Sequence, residues 1–120
     1  MNEFNMIGEW SCRYMYDQDK ISIHKIVFKP KLNGIIAESV PQEDQSHLSM
    51  ELKYDSDNNV LTGTWQEISS LKGPYKGQIF HGALQLIPNA EGTKAEGLWV
   101  GFSSKRDLVN SDEWVIEKTV

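Results

Sequence analysis

The residues best equipped for chemistry in this 120-residue chain fall largely in one short stretch. Gly73-Pro74-Tyr75-Lys76-Gly77, followed by Phe80-His81-Gly82, sets an aromatic platform, a cation and an imidazole among glycines that let a ligand approach the backbone. That set suits a small planar anion, whose ring stacks on Tyr or Trp while Lys and Arg meet phosphate or carboxylate. Arg13 and Arg106 are the only two arginines against ten lysines, so they are the only planar, bidentate cations. With Tyr14 and Trp99 as further aromatic members, the candidate ligand-binding set is Arg13, Tyr14, Tyr75, Lys76, His81, Trp99 and Arg106. Each has a plainer role beside the binding one. Tyr75 can cap a core, Lys76 and Arg106 can be solvated, and Arg13 can stack on a Trp near a closed barrel end. Both roles stay open at this stage.

Catalytic and metal chemistry find less support. Cys12 shares a strand face with Trp10 and Tyr14 and reads as a buried thiol, with no flanking nucleophile signature. His24, His47 and His81 lie on separate strands without HxH or HExxH spacing, so no metal site is expected. Glu43, Asp44, Asp55, Asp57 and Asp112 read as solvated turn carboxylates. The Ser69-Ser70 and Ser103-Ser104 pairs offer neutral donors to a phosphate or serve as loop residues. The expectation is a binding protein without enzymatic activity or cofactor.

Composition narrows the partners. A net charge of −5 disfavours a DNA or RNA duplex and anionic membrane surfaces. No run approaches the ~18 apolar residues of a membrane span, and Met1 to Ile7 lacks a signal-like apolar core. One cysteine precludes an internal disulfide and fits a reducing compartment, so a cytoplasmic location is expected. A homo-oligomer, or a fused or separate effector partner, remains open.

Elements that could position these residues follow from period-two alternation, which dominates the chain. Gly8 to Tyr16, Ile21 to Pro30, Ile35 to Val40, His47 to Tyr54, Val60 to Glu67, Gly77 to Ile87, Lys94 to Phe102 and Glu113 to Val120 read as strands. In the second, the apolar phase shifts from Ile21 and Ile23 to Ile26 and Phe28, which predicts a β-bulge near His24-Lys25. Asn33-Gly34, Asp55 to Asn59 and Asn89 to Thr93 carry turn chemistry, and Ser103 to Asp112 reads as a polar loop. Eight strands with short connections predict an all-β, eight-stranded antiparallel up-and-down barrel over residues 1–120, with a sandwich as the alternative.

Gly8-Glu9-Trp10, Gly63-Thr64-Trp65 and Gly97-Leu98-Trp99 repeat a Gly-x-Trp pattern, which Ser111-Asp112-Glu113-Trp114 follows loosely. Glycine relieves crowding where a sheet curls, and a Trp two residues on lies on the same face. The four Trp therefore read as barrel filling. With Thr62-Gly63-Thr64-Trp65, these marks resemble the calycin group of lipocalin-like barrels. The pattern from Trp10 through Trp114 also resembles the sensor barrel of two-transmembrane β-rich effectors in bacterial anti-phage (CBASS-type) signalling. That resemblance implies recognition of cyclic di- or oligonucleotides and transmission to membrane helices, which this chain lacks. The run from Leu61 to Trp114 is similar to C-terminal modules of bacterial helix-turn-helix regulators. The leading expectation is a sensor barrel for a nucleotide-like second messenger. The alternatives are a carrier of a small apolar ligand and a ligand-free protein-interaction domain.

Overall fold

Leu48, Met50 and Leu52 are buried while His47, Glu51 and Lys53 are exposed, so the fourth strand has one wet face and one dry face. The fifth, sixth and seventh strands repeat this division. The computed structural model describes residues 9–17, 20–31, 34–40, 45–71, 77–102 and 108–119. It contains β1 (Glu9–Asp17), β2 (Lys20–Lys31), β3 (Gly34–Ser39), β4 (His47–Asp55), β5 (Val60–Ile68), β6 (Ile79–Pro88), β7 (Lys94–Phe102) and β8 (Leu108–Lys118). Each strand pairs antiparallel with its sequence neighbour, and β1 pairs with β8 to close the barrel. Closure leaves no sheet edge for a sandwich to use.

Two sequence expectations are corrected. No bulge occurs near His24-Lys25, because Trp10↔Ile26, Ser11↔Lys25 and Cys12↔His24 pair without interruption. β2 keeps one inward phase through Ser22, His24, Ile26 and Phe28, so Ile21 and Ile23 face outward. The apparent phase shift arises because polar residues occupy two inward positions, not because the backbone slips. The register shifts instead between Met15 and Asp17 and between Gly101 and Phe102. Secondly, Leu108 to Asp112 is strand, not loop, since Gly101↔Asn110, Val100↔Ser111 and Trp99↔Asp112 extend the β7–β8 ladder. Backbone pairing with β7 draws this polar segment into the sheet despite its composition.

The barrel has two distinct ends. The β2–β3, β4–β5 and β6–β7 connections lie at what we call the lower end, and β1–β2, β3–β4, β5–β6 and β7–β8 at the upper end. Trp10, Ile26, Leu61, Leu86, Ala95 and Ile116 fill the interior toward the lower end, where Trp10 meets Phe28 edge-on at 5.5 Å. Asn59, at φ 55°, accepts from the Tyr54 hydroxyl (2.8 Å) and donates to the Pro88 carbonyl (3.2 Å), tying two lower turns together. All four Trp are buried, in line with their reading as barrel filling. Alternation also puts Gly63 and Gly97 on the inner face with their Trp partners, where a Cβ would stand 1.8 and 1.9 Å from backbone oxygens of the adjacent strand. Only glycine permits that approach.

Candidate functional site

Toward the upper end the interior changes character. Tyr14 stacks on Trp114 at 4.5 Å and meets Trp99 edge-on at 6.2 Å, while Trp65 and Trp99 meet edge-on at 5.5 Å. The Trp65 indole N–H donates to the Val100 carbonyl (3.2 Å), which fixes one ring of the set. Beside these rings stands a polar cluster drawn from β1, β2, β5 and the approach to β4. Glu67 Oε2 accepts from the Tyr14 hydroxyl and from Ser46 Oγ (2.5 Å), and lies 3.5 Å from His24 Nε2. That imidazole nitrogen also lies 3.1 Å from Ser22 Oγ and 3.3 Å from the Tyr14 oxygen. Since the Tyr14 proton is committed to Glu67, its oxygen can only accept toward His24, which favours the proton on Nε2.

The electrostatics follow from this geometry. Burial works to raise the Glu67 carboxyl, but hydrogen bonds from His24, Ser46 and Tyr14, with attraction to the imidazole, hold it below the usual carboxylate range. Glu67 is therefore an ionised acceptor inside the barrel, with 15% of its side-chain surface exposed. Burial, then the charge of Glu67 and the hydrogen bond to it, push the Tyr14 phenol up. Burial likewise pushes the Cys12 thiol up, against a smaller opposing effect of Trp114, so Cys12 is a protonated core residue at neutral pH. His24 Nδ1 and Trp99 Nε1 are buried and find no hydrogen-bond partner among the described residues.

The sequence-derived binding set is divided by this structure. Tyr14 and Trp99 face inward and belong to the upper-end cluster. Arg13 faces outward, 3.9 Å from Glu117 across the β1–β8 seam, and does not stack on a Trp at the closed end. His81 is also on the outer surface, with its ring 6.0 Å from Phe102. Tyr75, Lys76 and Arg106 lie outside the described residues, as do Gly73 and Pro74. The strand ends that flank them, on β5, β6, β7 and β8, all lie at the upper end.

Sequence reasoning missed Glu67, Ser46 and Ser22 as interior residues, and considered His24 only as a metal ligand. Two signals were available. Glu67 continues the inward phase of Leu61, Gly63 and Trp65, and His24 and Ser22 continue that of Phe28 and Ile26. A charge and an imidazole on buried phases of two strands call for each other, because neither is tolerated inside unpaired.

No family model, curated protein or solved structure matches the chain. Its class is therefore defined by the fold itself: a closed, eight-stranded up-and-down barrel, consistent with lipocalin-like architecture. Among the described residues no helix is long and apolar enough to cross a membrane.

Proposed function

We propose that the chain is a sensor barrel for a nucleotide-like second messenger, a cyclic di- or oligonucleotide, of the kind used in bacterial anti-phage signalling. One observation carries the reading: the upper end gathers inward-facing Tyr14, Trp65 and Trp99 around an ionised, partly exposed Glu67. A base needs an aromatic face and a hydrogen-bonding edge, and the residue types gathered at this end are the kinds that recognise them. The segments bearing Tyr75, Lys76 and Arg106 connect strands at the same end, where cations would meet the phosphates. A calorimetric screen of cyclic di- and oligonucleotides is the direct test. Binding of at least one member supports the reading, and no heat with any at protein concentrations well above micromolar overturns it. Tyr75→Ala is expected to cost ~1–3 kcal/mol of affinity if Tyr75 stacks on a base. Neutral replacements at Lys76 and Arg106 are expected to weaken binding and flatten its salt dependence.

A carrier of a small apolar ligand is the second reading, favoured by the outward placement of Arg13 and His81 and by the hydrocarbon-lined lower interior. Displacement of a fluorescent fatty-acid probe, with no nucleotide heat, would select it.

A further inference from the structure

Independently of what the barrel binds, we propose that the chain associates with further copies of itself head to tail. The outer face of β2 on one copy meets the outer face of β6–β8 on the next. The outer surface is uneven. Across β4 and β5 its middle carries Glu51, Lys53, Thr62, Thr64 and Gln66, the residue types of a wall in water. Elsewhere aliphatic side chains take neighbouring outward places. On β2, Ile21 and Ile23 are 53% and 60% exposed. Val40 is exposed across from Lys25, whose carbonyl accepts its amide (2.8 Å). On β6 and β7, Ile87 and Leu98 are 58% and 64% exposed, and the paired Ala83 and Val100 share that face. A lone exposed aliphatic is ordinary, but neighbouring ones mark an interaction surface.

Charge selects the pairing. The β2 face carries Lys25 between Ile23 and Val27, with Arg13 opposite Ile23 on β1. Its described carboxylates, Glu9 and Glu38, lie lower, beside Val27, and Glu38 is 4.0 Å from Lys29. The β6–β8 face carries Glu96 between Ile87 and Val115, and Glu113 opposite Leu98, while Lys94 lies lower, opposite Glu117. Two like faces brought together would crowd cations on cations, or glutamates on glutamates. Unlike faces set aliphatic on aliphatic and cation on carboxylate. The closed barrel offers no strand edge for backbone pairing, so side chains make the contact. Around the barrel β2 and β7 are three strands apart, so one copy can use both faces at once. The association is therefore heterologous.

Sedimentation equilibrium of the full chain from ~10 to ~500 micromolar is the test. The average mass is expected to rise above that of the monomer with concentration. Two double variants, Ile21→Thr with Ile23→Thr and Ile87→Thr with Leu98→Thr, each strip one face while keeping β-branched residues on the strands. Each alone is expected to associate roughly tenfold more weakly than the parent. An equimolar mixture of the two retains one intact pair of faces, so it is expected to form a one-to-one dimer and nothing larger. Lys25→Glu is expected to weaken self-association roughly threefold. A parent chain that stays monomeric throughout would overturn the proposal without any variant. So would a double variant that melts cooperatively and associates as the parent does, a mixture that stays monomeric, or a Lys25→Glu chain that associates unweakened.

Discussion

The two ends of this barrel are built from the same strands by different physical means. Toward the lower end, Trp10, Ile26, Leu61, Leu86 and Ile116 pack hydrocarbon on hydrocarbon, and Asn59 bonds two turns together. Toward the upper end, aromatic rings share the interior with a carboxylate, an imidazole, a phenol and two serine hydroxyls. The contrast teaches that purely apolar packing and titratable hydrogen-bonding groups are segregated along the barrel axis. Burial at the lower end is indifferent to pH, whereas the upper end holds groups whose charge matters.

The sharpest way to break that contrast is to truncate Trp10, which is fully buried. Trp10→Ala is expected to cost ~3–5 kcal/mol in urea unfolding, by nearly the same amount at any pH between 5 and 8. Gly101→Ala comes next and acts at the upper end. Its Cβ would lie 2.6 Å from Trp99 Cζ3 and 2.7 Å from Trp65 Cζ2. A loss of ~1–3 kcal/mol and an altered near-ultraviolet circular dichroism spectrum are expected from the displaced indoles. Gly92, in a lower turn at φ +72°, has no neighbour within 4 Å of such a Cβ. Gly92→Ala is expected to cost about 1 kcal/mol of backbone strain and to leave the spectrum unchanged.

Glu67 and Tyr14 sharpen the comparison through pH. The folded Glu67 carboxyl lies below its ordinary value of 4.5, so its contribution is present above that pH and is lost as pH falls through the folded value. Glu67→Gln is expected to lower stability at pH 7 by ~1–3 kcal/mol and to flatten the acid limb of a stability–pH profile. The phenol of Tyr14 lies above its ordinary value of 10.0 and the thiol of Cys12 above 9.0. Their contributions are intact below those values and decline as pH rises past them, by about 1.4 kcal/mol per pH unit for each group. Tyr14→Phe is expected to remove one of these two alkaline losses. Arg13→Ala should have the smallest effect, under ~0.5 kcal/mol, because its contact with Glu117 is exposed to solvent on both sides. A larger loss would place the seam's stability on its outer face.

Alternation is a local property, and it located all eight strands because inward Leu, Met and Trp residues mark one face directly. It failed in β2, where Ser22 and His24 take inward positions and Ile21 and Ile23 are outside at 53% and 60% exposure. Reading hydrophobicity as depth turned that exchange into a bulge. The partners that make His24 tolerable inside are Tyr14, ten residues away, and Glu67, on a strand across the barrel. Such pairing depends on closure and register, which no single strand reveals. Tyr14 and Trp99 were legible because aromatics on an apolar phase declare themselves. Arg13 and His81 were chosen for residue types that suit ligand chemistry, and their phase puts them on the outer face. The start of β8 was hidden for a related reason: its polar residues join the sheet through backbone bonds to β7.

The β1–β8 seam has a consequence for how the chain folds. Seven of the barrel's strand pairings join sequence neighbours and can form as local hairpins, but Trp10↔Lys118 and Tyr14↔Trp114 unite segments about a hundred residues apart. Bringing such distant segments together from an open chain costs about 4 kcal/mol in loop-closure entropy, before any constant term. A hairpin-by-hairpin meander shortens that search progressively, so the seam is the natural last step and the slow one. Tyr14 and Trp114, paired across the seam and stacked on each other inside it, then act as a latch. The aromatic wall at the upper end comes into being at the moment the cylinder shuts.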